Sequence, residues 1–307
     1  MPPTLQDRLN PEGPHRRFVM TAEITPPVAF DGQELLRKAV ALKGLADAVN
    51  VTDGAGARAH MAALAAASLI QNAGVEPVLQ LTCRDKNRIA LQSELMGAAA
   101  LGIQNLLILT GDDPKAGDQP DTKPVFDIDS RALMETARRL RDDGTLPTGR
   151  KVEGQASFFI GAADMPIDPP AGWQPNSLLA KVKAGAQFAQ TQFCMDAAIV
   201  RRYVGVLEAA GVTKQLSLLI GVNPLRSAKS AAWMKKHLFG TIIADAYVER
   251  MEKASDPGRE GIAICVELVE ELSTIPGVAG VHIMAPGNDA AIPEVIAQAR
   301  ARVQTKG

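Results

Sequence analysis

Two adjacent carboxylates stand where an apolar run of the chain ends. Leu106 to Leu109 is apolar throughout, as in a parallel strand that is covered on both faces. Asp112 and Asp113 follow, enclosed by Gly111 and Pro114, which end the strand in a turn. Strand ends of this kind usually carry the reactive groups of α/β proteins, so both aspartates are candidates for acid–base work or charge stabilisation. Their structural alternative is to cap the next helix or to face water.

A third carboxylate, Glu23, lies one step inside the end of another predicted strand. Phe18 to Ile24 alternates as a strand does, and Pro26 and Pro27 forbid its continuation inside a sheet. A carboxylate buried at this point is costly unless it is protonated or paired. Glu23 is therefore either a group that can hold a proton or a solvated residue at a strand end.

The overall charge excludes some classes of partner. Across 307 residues, 33 lysines and arginines nearly balance 34 aspartates and glutamates, so the chain lacks the field that gathers nucleic acid or an anionic membrane. Apolar residues at 46% and charged residues at 22% are typical of a globular protein with a large core. We find no signal peptide and no apolar run approaching the roughly 20 residues that cross a bilayer. We predict a cytoplasmic protein with no membrane and no nucleic-acid partner.

The cysteines predict a reduced protein without a metal site. Cys83, Cys194 and Cys265 are widely spaced and form no Cys-x-x-Cys pair. This spacing argues against a disulfide framework and against zinc binding. We expect each cysteine to pack in the core, and we expect no metal ion.

A glycine-rich turn superficially resembles a dinucleotide-binding loop. Gly54 and Gly56 lie between a predicted strand that ends at Thr52 and an alanine-rich helix. The dinucleotide fingerprint also requires an acid at the far end of the next strand, whereas Glu76 opens that strand. We therefore do not favour a site of that type. Paired glycines still permit the backbone to approach a phosphate or a ring closely.

Eight predicted strands alternate with helices along the chain, without a break in composition. The predicted strands are Phe18–Ile24, Ala48–Thr52, Val75–Thr82, Leu106–Leu109, Ala156–Ile160, Gln187–Phe193, Leu216–Val222 and Val278–Met284. This order predicts an α/β fold, a single (β/α)8 TIM barrel over residues 1–307 with a polar N-terminal lead at residues 1–15. We expect a helical insertion at Thr241–Lys253 and a polar loop insertion at Gly117–Asp129, which is functional or mobile as loops of that length usually are.

In such a barrel the polar residues at the strand ends share one face, because every parallel strand ends on the same side. This predicted ring consists of Glu23, Thr52, Gln80, Thr110, Asp112, Gln192 and Asn223. The sequence contains no Walker loop, no His-Glu-x-x-His and no Gly-x-Ser-x-Gly elbow. The four histidines do not cluster at predicted strand ends, and we interpret them as surface or structural residues. They are His15, His60, His237 and His282.

Six short segments carry a family resemblance. In chain order they are Ala-Glu-Ile-Thr-Pro-Pro from Ala22, Val-Thr-Asp-Gly-Ala from Val51, Leu-Thr-Cys from Leu81, Leu-Thr-Gly-Asp from Leu109, Lys-Val-Lys-Ala-Gly-Ala from Lys181 and Thr-Gln-Phe from Thr191. Together they resemble the motif series of methylenetetrahydrofolate reductases, over essentially the whole chain. Six motifs in register are far more specific than any one of them.

The resemblance implies a barrel that passes hydride from NADH or NADPH to FAD and then to 5,10-methylenetetrahydrofolate. It implies that Glu23 is the general acid that assists opening of the methylene bridge, and that Asp112 is a carboxylate near the flavin and the pterin. For substrate binding it implies Gln192, Phe193 and Asn223. For cofactor binding it implies Thr52, Asp53, Gln80, Thr110, Gly111, Asp112, Phe126, Ala162 and Lys181.

The chain departs from the family pattern at three of the relevant positions. Gln80 stands where a His is often found, Thr110 where a basic residue is often found, and Asp164 in place of a tyrosine. These departures bear on flavin binding more than on folate chemistry. Three other functions therefore stay open: direct hydride transfer from nicotinamide to folate, a non-catalytic folate or flavin subunit of a redox complex, and a barrel lyase or methyltransferase. The sequence also leaves open the choice between NADH and NADPH and whether the chain forms a homo-oligomer.

Overall fold

Eight parallel strands close into a barrel in the computed structural model, which describes residues 2–304. The barrel strands are β1 (Val19–Ile24), β2 (Ala48–Val51), β3 (Pro77–Thr82), β4 (Asn105–Leu109), β5 (Phe159–Asp164), β6 (Phe188–Met195), β7 (Ser217–Val222) and β9 (Val278–Ile283). The two-residue strand β8 (Ile242–Ile243) pairs with the end of β6. Because β5 pairs with β6, β7 with β9 and β9 with β1, the ring is closed. The prediction of a (β/α)8 TIM barrel is confirmed.

Eleven α-helices accompany the barrel within residues 2–304, and all except the first, which closes one end, lie on its outside. They are α1 (Leu5–Leu9), α2 (Gln33–Leu42), α3 (Ala63–Asn72), α4 (Arg88–Ala100), α5 (Ser130–Asp142), α6 (Asn176–Ala184), α7 (Ala197–Ala209), α8 (Ala228–His237), α9 (Asp245–Lys253), α10 (Pro257–Leu272) and α11 (Ile292–Gln304). Polar side chains cap several of them; Asn87, for example, accepts a hydrogen bond from the Ala90 backbone N–H at the start of α4. Among residues 2–304, none of the helices has both the length and the apolar character that crossing a bilayer requires.

Each strand presents alternate side chains to two different cores. On β1, Met20 and Ile24 pack outward under the helices, whereas Val19 belongs to the core inside the barrel. By the same alternation Thr21 and Glu23 face inward. We call the end formed by the carboxyl ends of the strands the mouth and the opposite end the base. The inward positions are apolar at the base and polar toward the mouth.

The N-terminal helix closes the base. Leu5 and Leu9 of α1 are buried among the inner apolar residues of the strands. A capping box starts the helix: Thr4 Oγ1 accepts from the Asp7 backbone N–H at 3.2 Å, and the Asp7 carboxylate accepts from the Thr4 N–H at 2.8 Å. The sequence interpretation of residues 1–15 as a polar lead missed this helix, because two leucines give almost no periodic signal.

One buried carboxylate joins the two ends of the chain at the base. The Asp47 side chain is fully enclosed and accepts hydrogen bonds from the Met20 backbone N–H at 2.8 Å and from Arg300 at 3.0 Å. Arg8 of α1 and Arg17 also form ion pairs with it. Three guanidinium groups therefore compensate the burial of one carboxylate, and they attach α1 and α11 to the barrel.

Two predicted elements lie elsewhere than expected. The fifth strand was predicted at Ala156–Ile160, but β5 runs from Phe159 to Asp164. Its position is set by register, since Phe159 pairs with Asn105 of β4 and Asp164 with Thr191 of β6. The segment predicted as a helix at Thr241–Lys253 begins instead with β8 and becomes helical only in α9.

The three cysteines are buried, as expected for core residues. Burial raises the pKa of the Cys83 thiol to about 11 and that of Cys265 to about 12. Burial and the nearby Asp196 carboxylate raise the pKa of Cys194 to about 12. All three thiols are therefore protonated and unreactive at neutral pH.

A matched pair of helix glycines tests the packing of α10 against the β7 loop. A Cβ atom at Gly261 in α10 would lie 1.7 Å from the Leu225 carbonyl oxygen, whereas a Cβ at Gly205 in α7 would meet nothing within 4 Å. We expect Gly261→Ala to lower the free energy of unfolding by about 1–3 kcal/mol through overpacking. Gly205→Ala should raise it by roughly 0.5–1 kcal/mol, since alanine is the better helix former. Urea unfolding followed by circular dichroism measures both, and a stabilised Gly261→Ala variant would contradict the close contact.

Thiol labelling tests the burial of the cysteines. A thiol with a pKa of about 11 is ionised on the order of a hundredfold less at pH 8 than an ordinary thiol. We expect the native protein to react slowly with 5,5′-dithiobis(2-nitrobenzoate) at pH 8, and three thiols to react rapidly after unfolding in guanidinium. One rapidly reacting thiol in the native protein would show that a cysteine is exposed and activated.

Candidate functional site

Glu23 lies at the mouth as the penultimate residue of β1, and its side chain is 22% exposed. Its Oε2 atom accepts a hydrogen bond from Gln80 Nε2 of β3 at 3.0 Å. The two side chains come from strands that are not neighbours, so they meet across the interior of the barrel. We predicted that polar residues at the strand ends share one face of the barrel. In the structure, the Glu23 carboxyl group and the Gln80 amide are in contact at this face.

His282 of β9 is the residue that sequence reasoning missed. We interpreted the four histidines as surface or structural residues that form no cluster at strand ends, and this gave His282 no place at the mouth. It is 2% exposed, and its Nε2 atom lies 3.6 Å from Glu23 Oε2. In register it pairs with Thr21, whose side chain also faces inward. The available signal was the period-two alternation of the eighth predicted strand, which puts His282 on the inward face near the strand end.

A layer of polar side chains lies inside the barrel beneath Glu23. Gln190 and Asn50 bond reciprocally, with Asn50 Nδ2 donating to Gln190 Oε1 at 2.6 Å and Gln190 Nε2 donating to Asn50 Oδ1 at 3.1 Å. Gln190 Nε2 also lies 3.1 Å from Thr21 Oγ1, and Thr21 Oγ1 lies 2.9 Å from His282 Nδ1. All four side chains are buried. We call Thr21, Asn50, Gln190 and His282 the polar layer.

The two adjacent aspartates after β4 have separate environments. Asp112 is exposed at the rim, and its Oδ2 atom accepts a hydrogen bond from the Gly56 backbone N–H at 2.9 Å. Asp113 accepts from the Lys115 N–H at 2.9 Å and caps a short 3-10 turn. Asp113 therefore has the capping role that we considered for both aspartates. Asp112 instead connects the loop after β4 to the loop after β2.

Arg84 fills the space between these loops. Its guanidinium group bonds both oxygens of Asp85, at 2.7 and 2.6 Å, and the Gly54 carbonyl at 3.1 Å. Gly111 has a φ of +99°, and a Cβ there would lie 2.8 Å from Arg84 Cβ. Glycine is thus required at Gly111 for both its backbone conformation and the close approach of Arg84.

The glycine turn after β2 does not form a dinucleotide loop. Gly54 and Gly56 both adopt left-handed conformations around a single 3-10 turn, and the following helix α3 begins only at Ala63. The glycines therefore do not lead directly into a helix N-terminus that could bind a pyrophosphate. This agrees with our preference against a dinucleotide fingerprint.

Asp53 belongs to a charged cluster beside the mouth. Its Oδ2 atom accepts from the Thr82 backbone N–H at 2.9 Å and from Lys86 Nζ at 3.0 Å, and Lys86 also pairs with Glu94 at 2.7 Å. Burial lowers the pKa of Lys86, but the carboxylates of Asp53 and Glu94 outweigh it and raise the pKa above its usual value. Lys86 is therefore a permanent cation here, and the predicted cofactor contact of Asp53 would come from a carboxylate already bound to β3.

Polar groups of β5, α6 and α7 meet around the end of β5. Lys181 Nζ donates to the Ala163 carbonyl at 2.7 Å, and Tyr203 Oη donates to Asp164 at 2.5 Å. Burial raises the pKa of Asp164 despite the hydrogen bond from Tyr203 and the charge of Lys181. The side chain of Ala162, a predicted cofactor residue, belongs to the outer core under the helices. Any contact of Ala162 with a ligand in the mouth would have to come from its backbone.

The three predicted substrate residues do not share one environment. The Gln192 side chain turns back to bond the Phe193 N–H at 2.9 Å and the Phe239 carbonyl at 3.4 Å. Phe193 is 3% exposed and packs in the outer core, so its ring is not available to stack on a ligand at the mouth. Asn223 follows β7 and donates to the Met284 carbonyl at 2.9 Å, which joins the ends of β7 and β9.

Two other predicted cofactor residues lie on the open rim. Thr110 and Phe126 are both exposed. Phe126 lies in the predicted loop insertion and has a φ of +40°, a conformation that non-glycine residues rarely adopt. The residues before and after Phe126 are both held in place. The Val125 N–H donates to the Arg84 carbonyl at 2.7 Å, and Asp127 forms an ion pair with Arg88 of α4.

Thr52 offers a place for a cofactor. It follows β2 at the mouth and is buried, yet its Oγ1 atom has no hydrogen-bond partner. A buried hydroxyl without a partner costs free energy, and a ligand that bonds it would remove that cost. Thr52 therefore fits the position that the resemblance gives to a flavin contact. Within residues 2–304 we find no group of three or more His, Cys, Asp or Glu side chains arranged to hold a metal ion.

Solved structures share the fold. An uncharacterized protein from Clostridium thermocellum, which binds two copies of 5-methyl-5,6,7,8-tetrahydrofolic acid, aligns with a TM-score of 0.59 and 11% identity over 94% of this chain and 96% of that one. The coenzyme F420 dependent tetrahydromethanopterin reductase of Methanopyrus kandleri aligns with a TM-score of 0.61 and 11% identity over 94% of this chain and 100% of that one. At such low identity these similarities concern the barrel alone.

Sequence comparisons are more specific. A probable methylenetetrahydrofolate reductase (NADPH) of Caenorhabditis elegans is 26% identical over 239 residues, which are 75% of this chain and 33% of that protein. The chain thus spans about a third of the length of this curated relative. The model of the methylenetetrahydrofolate reductase family matches residues 5–300. Because that match runs through every strand of the barrel, the chain belongs to the methylenetetrahydrofolate reductase family.

Proposed function

We propose that this protein reduces the methylene bridge of 5,10-methylenetetrahydrofolate to give 5-methyltetrahydrofolate. The observation that carries the proposal is the inward-facing Glu23, held by Gln80 at the mouth of a barrel of this family. The match of the family model over residues 5–300 supports the substrate class.

Glu23 supplies the proton in this proposal. Opening the bridge requires a proton on one of its two nitrogens; the bond from that nitrogen to the bridging carbon then breaks, its electron pair stays on nitrogen, and an iminium ion forms at the other nitrogen. A half-buried carboxyl group next to an amide donor is suited to deliver that proton. Gln80 contributes by holding Oε2, which leaves Oε1 for the proton.

The hydride is proposed to come from NADH or NADPH by way of FAD. When bound, FAD would accept hydride from the nicotinamide and deliver it to the bridging carbon. Thr52 would hold the cofactor through its unpartnered hydroxyl, together with the Gly111 backbone and Lys181. Asp112, at the rim, would stabilise positive charge that develops on the pterin, and Gln192 and Asn223 would bind the folate.

An anaerobic titration tests the proposed function. The purified protein is mixed first with NADH or NADPH and then with methylenetetrahydrofolate, while its visible spectrum is recorded. We expect a flavin spectrum that bleaches with the nicotinamide nucleotide and recovers with the folate. A colourless sample that still oxidises NADH when folate is added would select direct hydride transfer. Binding of either ligand without turnover would indicate a non-catalytic subunit, and product without redox change would indicate a lyase or methyltransferase.

Glu23→Gln tests the general acid. The substitution keeps the size and polarity of the side chain but removes its proton, so we expect folate reduction to fall by about 10² to 10⁴. Oxidation of NADH by an artificial acceptor should persist, because it needs no proton at the folate. The exposed Glu135→Gln on α5 is the matched control and should leave both activities unchanged. Equal losses in both half-reactions of Glu23→Gln would remove Glu23 from this role.

Asp112→Asn tests the rim carboxylate. Asparagine can still accept from the Gly56 N–H, so the loop contact persists while the charge is lost. We expect both half-reactions to slow by about tenfold or more, as when a charge-stabilising group is removed. Asp113→Asn is the control, since Asp113 caps the adjacent turn. Unchanged rates in Asp112→Asn would make Asp112 a turn residue only.

A further inference from the structure

The side chain of Glu23 has two possible donors at the same oxygen atom. Gln80 Nε2 lies 3.0 Å from Oε2, and His282 Nε2 lies 3.6 Å from it on the other side. The second separation is longer than a formed hydrogen bond, and contacts of this kind commonly tighten when the substrate binds. What His282 does to Glu23 depends on which of its ring nitrogens carries the proton.

The polar layer decides that question. Gln190 presents its amide nitrogen to His282 Nδ1 at 3.4 Å, because its amide oxygen is bound by Asn50. An amide nitrogen only donates, so a proton on Nδ1 would face another donor. The two amide protons of Gln190 are directed at Asn50 Oδ1 and Thr21 Oγ1, both at 3.1 Å. The hydroxyl proton of Thr21 then has two acceptors in reach, His282 Nδ1 at 2.9 Å and the Val281 carbonyl at 3.4 Å, and the shorter contact is the one to Nδ1. This geometry favours Nδ1 as the acceptor of the ring, and a ring that carries one proton then holds it on Nε2, toward Glu23.

We propose that His282 is a positioning residue for Glu23, fixed as the neutral Nε2–H tautomer by Thr21 and Gln190. The inference rests on the proposed function, in which Glu23 is the general acid. With Gln80 and His282 both donating to Oε2, that oxygen is an acceptor and the proton of the carboxyl group is confined to Oε1. Glu23 would therefore always offer its proton from Oε1. No proton leaves His282 during the step.

The other charged groups at the mouth are engaged elsewhere. Among the described residues, Asp53 and Lys86 bind each other, and Asp112 bonds the Gly56 N–H. On the far side of the mouth, Lys181 donates to the Ala163 carbonyl, and Asp164 accepts from Tyr203. Within hydrogen-bond or ion-pair distance of Glu23, the titratable group that the packed strands β1, β2, β3 and β9 contribute is His282.

Nitrogen-15 NMR of histidine-labelled protein tests the tautomer without any assay of activity. The signal of His282 is the one that disappears in His282→Gln. We expect it to report a neutral ring protonated on Nε2 at pH 7. Thr21→Val should shift it toward a mixture of tautomers because the hydroxyl donor is lost, whereas Thr21→Ser should not. A ring protonated on Nδ1, or on both nitrogens, would overturn the proposal.

The pH profile of folate reduction tests the effect on Glu23. A hydrogen bond donated to a carboxylate favours its ionised form, so removal of the donor in His282→Phe should move the alkaline limb of kcat to higher pH. Its kcat should also fall about 10- to 100-fold with little change in KM, the usual cost of losing a group that orients a catalytic side chain. His282→Gln, which retains an amide donor, should recover part of that loss, and the exposed His15→Gln should match the wild type.

The possible results separate the two proposals. A folded His282→Phe with wild-type kcat and an unmoved alkaline limb would overturn the role of His282. If His282→Phe does not fold, the Thr21→Val and Thr21→Ser pair decides the matter by the NMR signal. If the wild-type protein does not reduce folate, the proposed function fails, and the tautomer measured by NMR still shows whether Thr21 and Gln190 fix His282 as inferred.

Discussion

The inside of this barrel depends on one constraint: a polar side chain that points inward must find a hydrogen-bond partner there, because water does not reach it. Thr21, Asn50, Gln190 and His282 meet the constraint together and are all buried. Each partner fixes the next, so the layer holds its donors and acceptors in one arrangement. Glu23 lies next to this layer, and the layer holds one of its two neighbours, His282, through Thr21.

The base and the mouth divide the tasks of the fold. At the base, α1 fills the barrel with two leucines, and Asp47 joins the first and last helices through three arginines. At the mouth, the loops are attached to one another by Arg84 and by the Asp112 contact with Gly56. Barrels of this class generally keep stability at one end and chemistry at the other. The closed base allows the mouth to carry unusual loop conformations and an unpartnered buried hydroxyl.

The comparisons separate fold from function in the same way. Structures at 11% identity reproduce the barrel, because a pattern of alternating inward and outward positions is enough to specify it. The family match is a similarity of sequence over residues 5–300, and the six short segments of the resemblance lie within that range. Those motifs coincide with the mouth, where Glu23, Thr52 and Asp112 lie.

The sequence by itself determined the barrel, and it predicted which end carries the candidate site. Apolar runs that stop at turn residues can be read locally, and closure of the sheet then forces Glu23 and Gln80 to the same mouth. It did not determine the shifted β5, because the register of that strand depends on its pairing with β4 and β6. Our interpretation of the sequence also did not assign Phe193 and Ala162 to the outer core or His282 to the neighbourhood of Glu23. Alternation along a strand relates the face of one residue to that of the next, but closure of the barrel decides which of the two faces turns inward and which distant side chain a residue then meets.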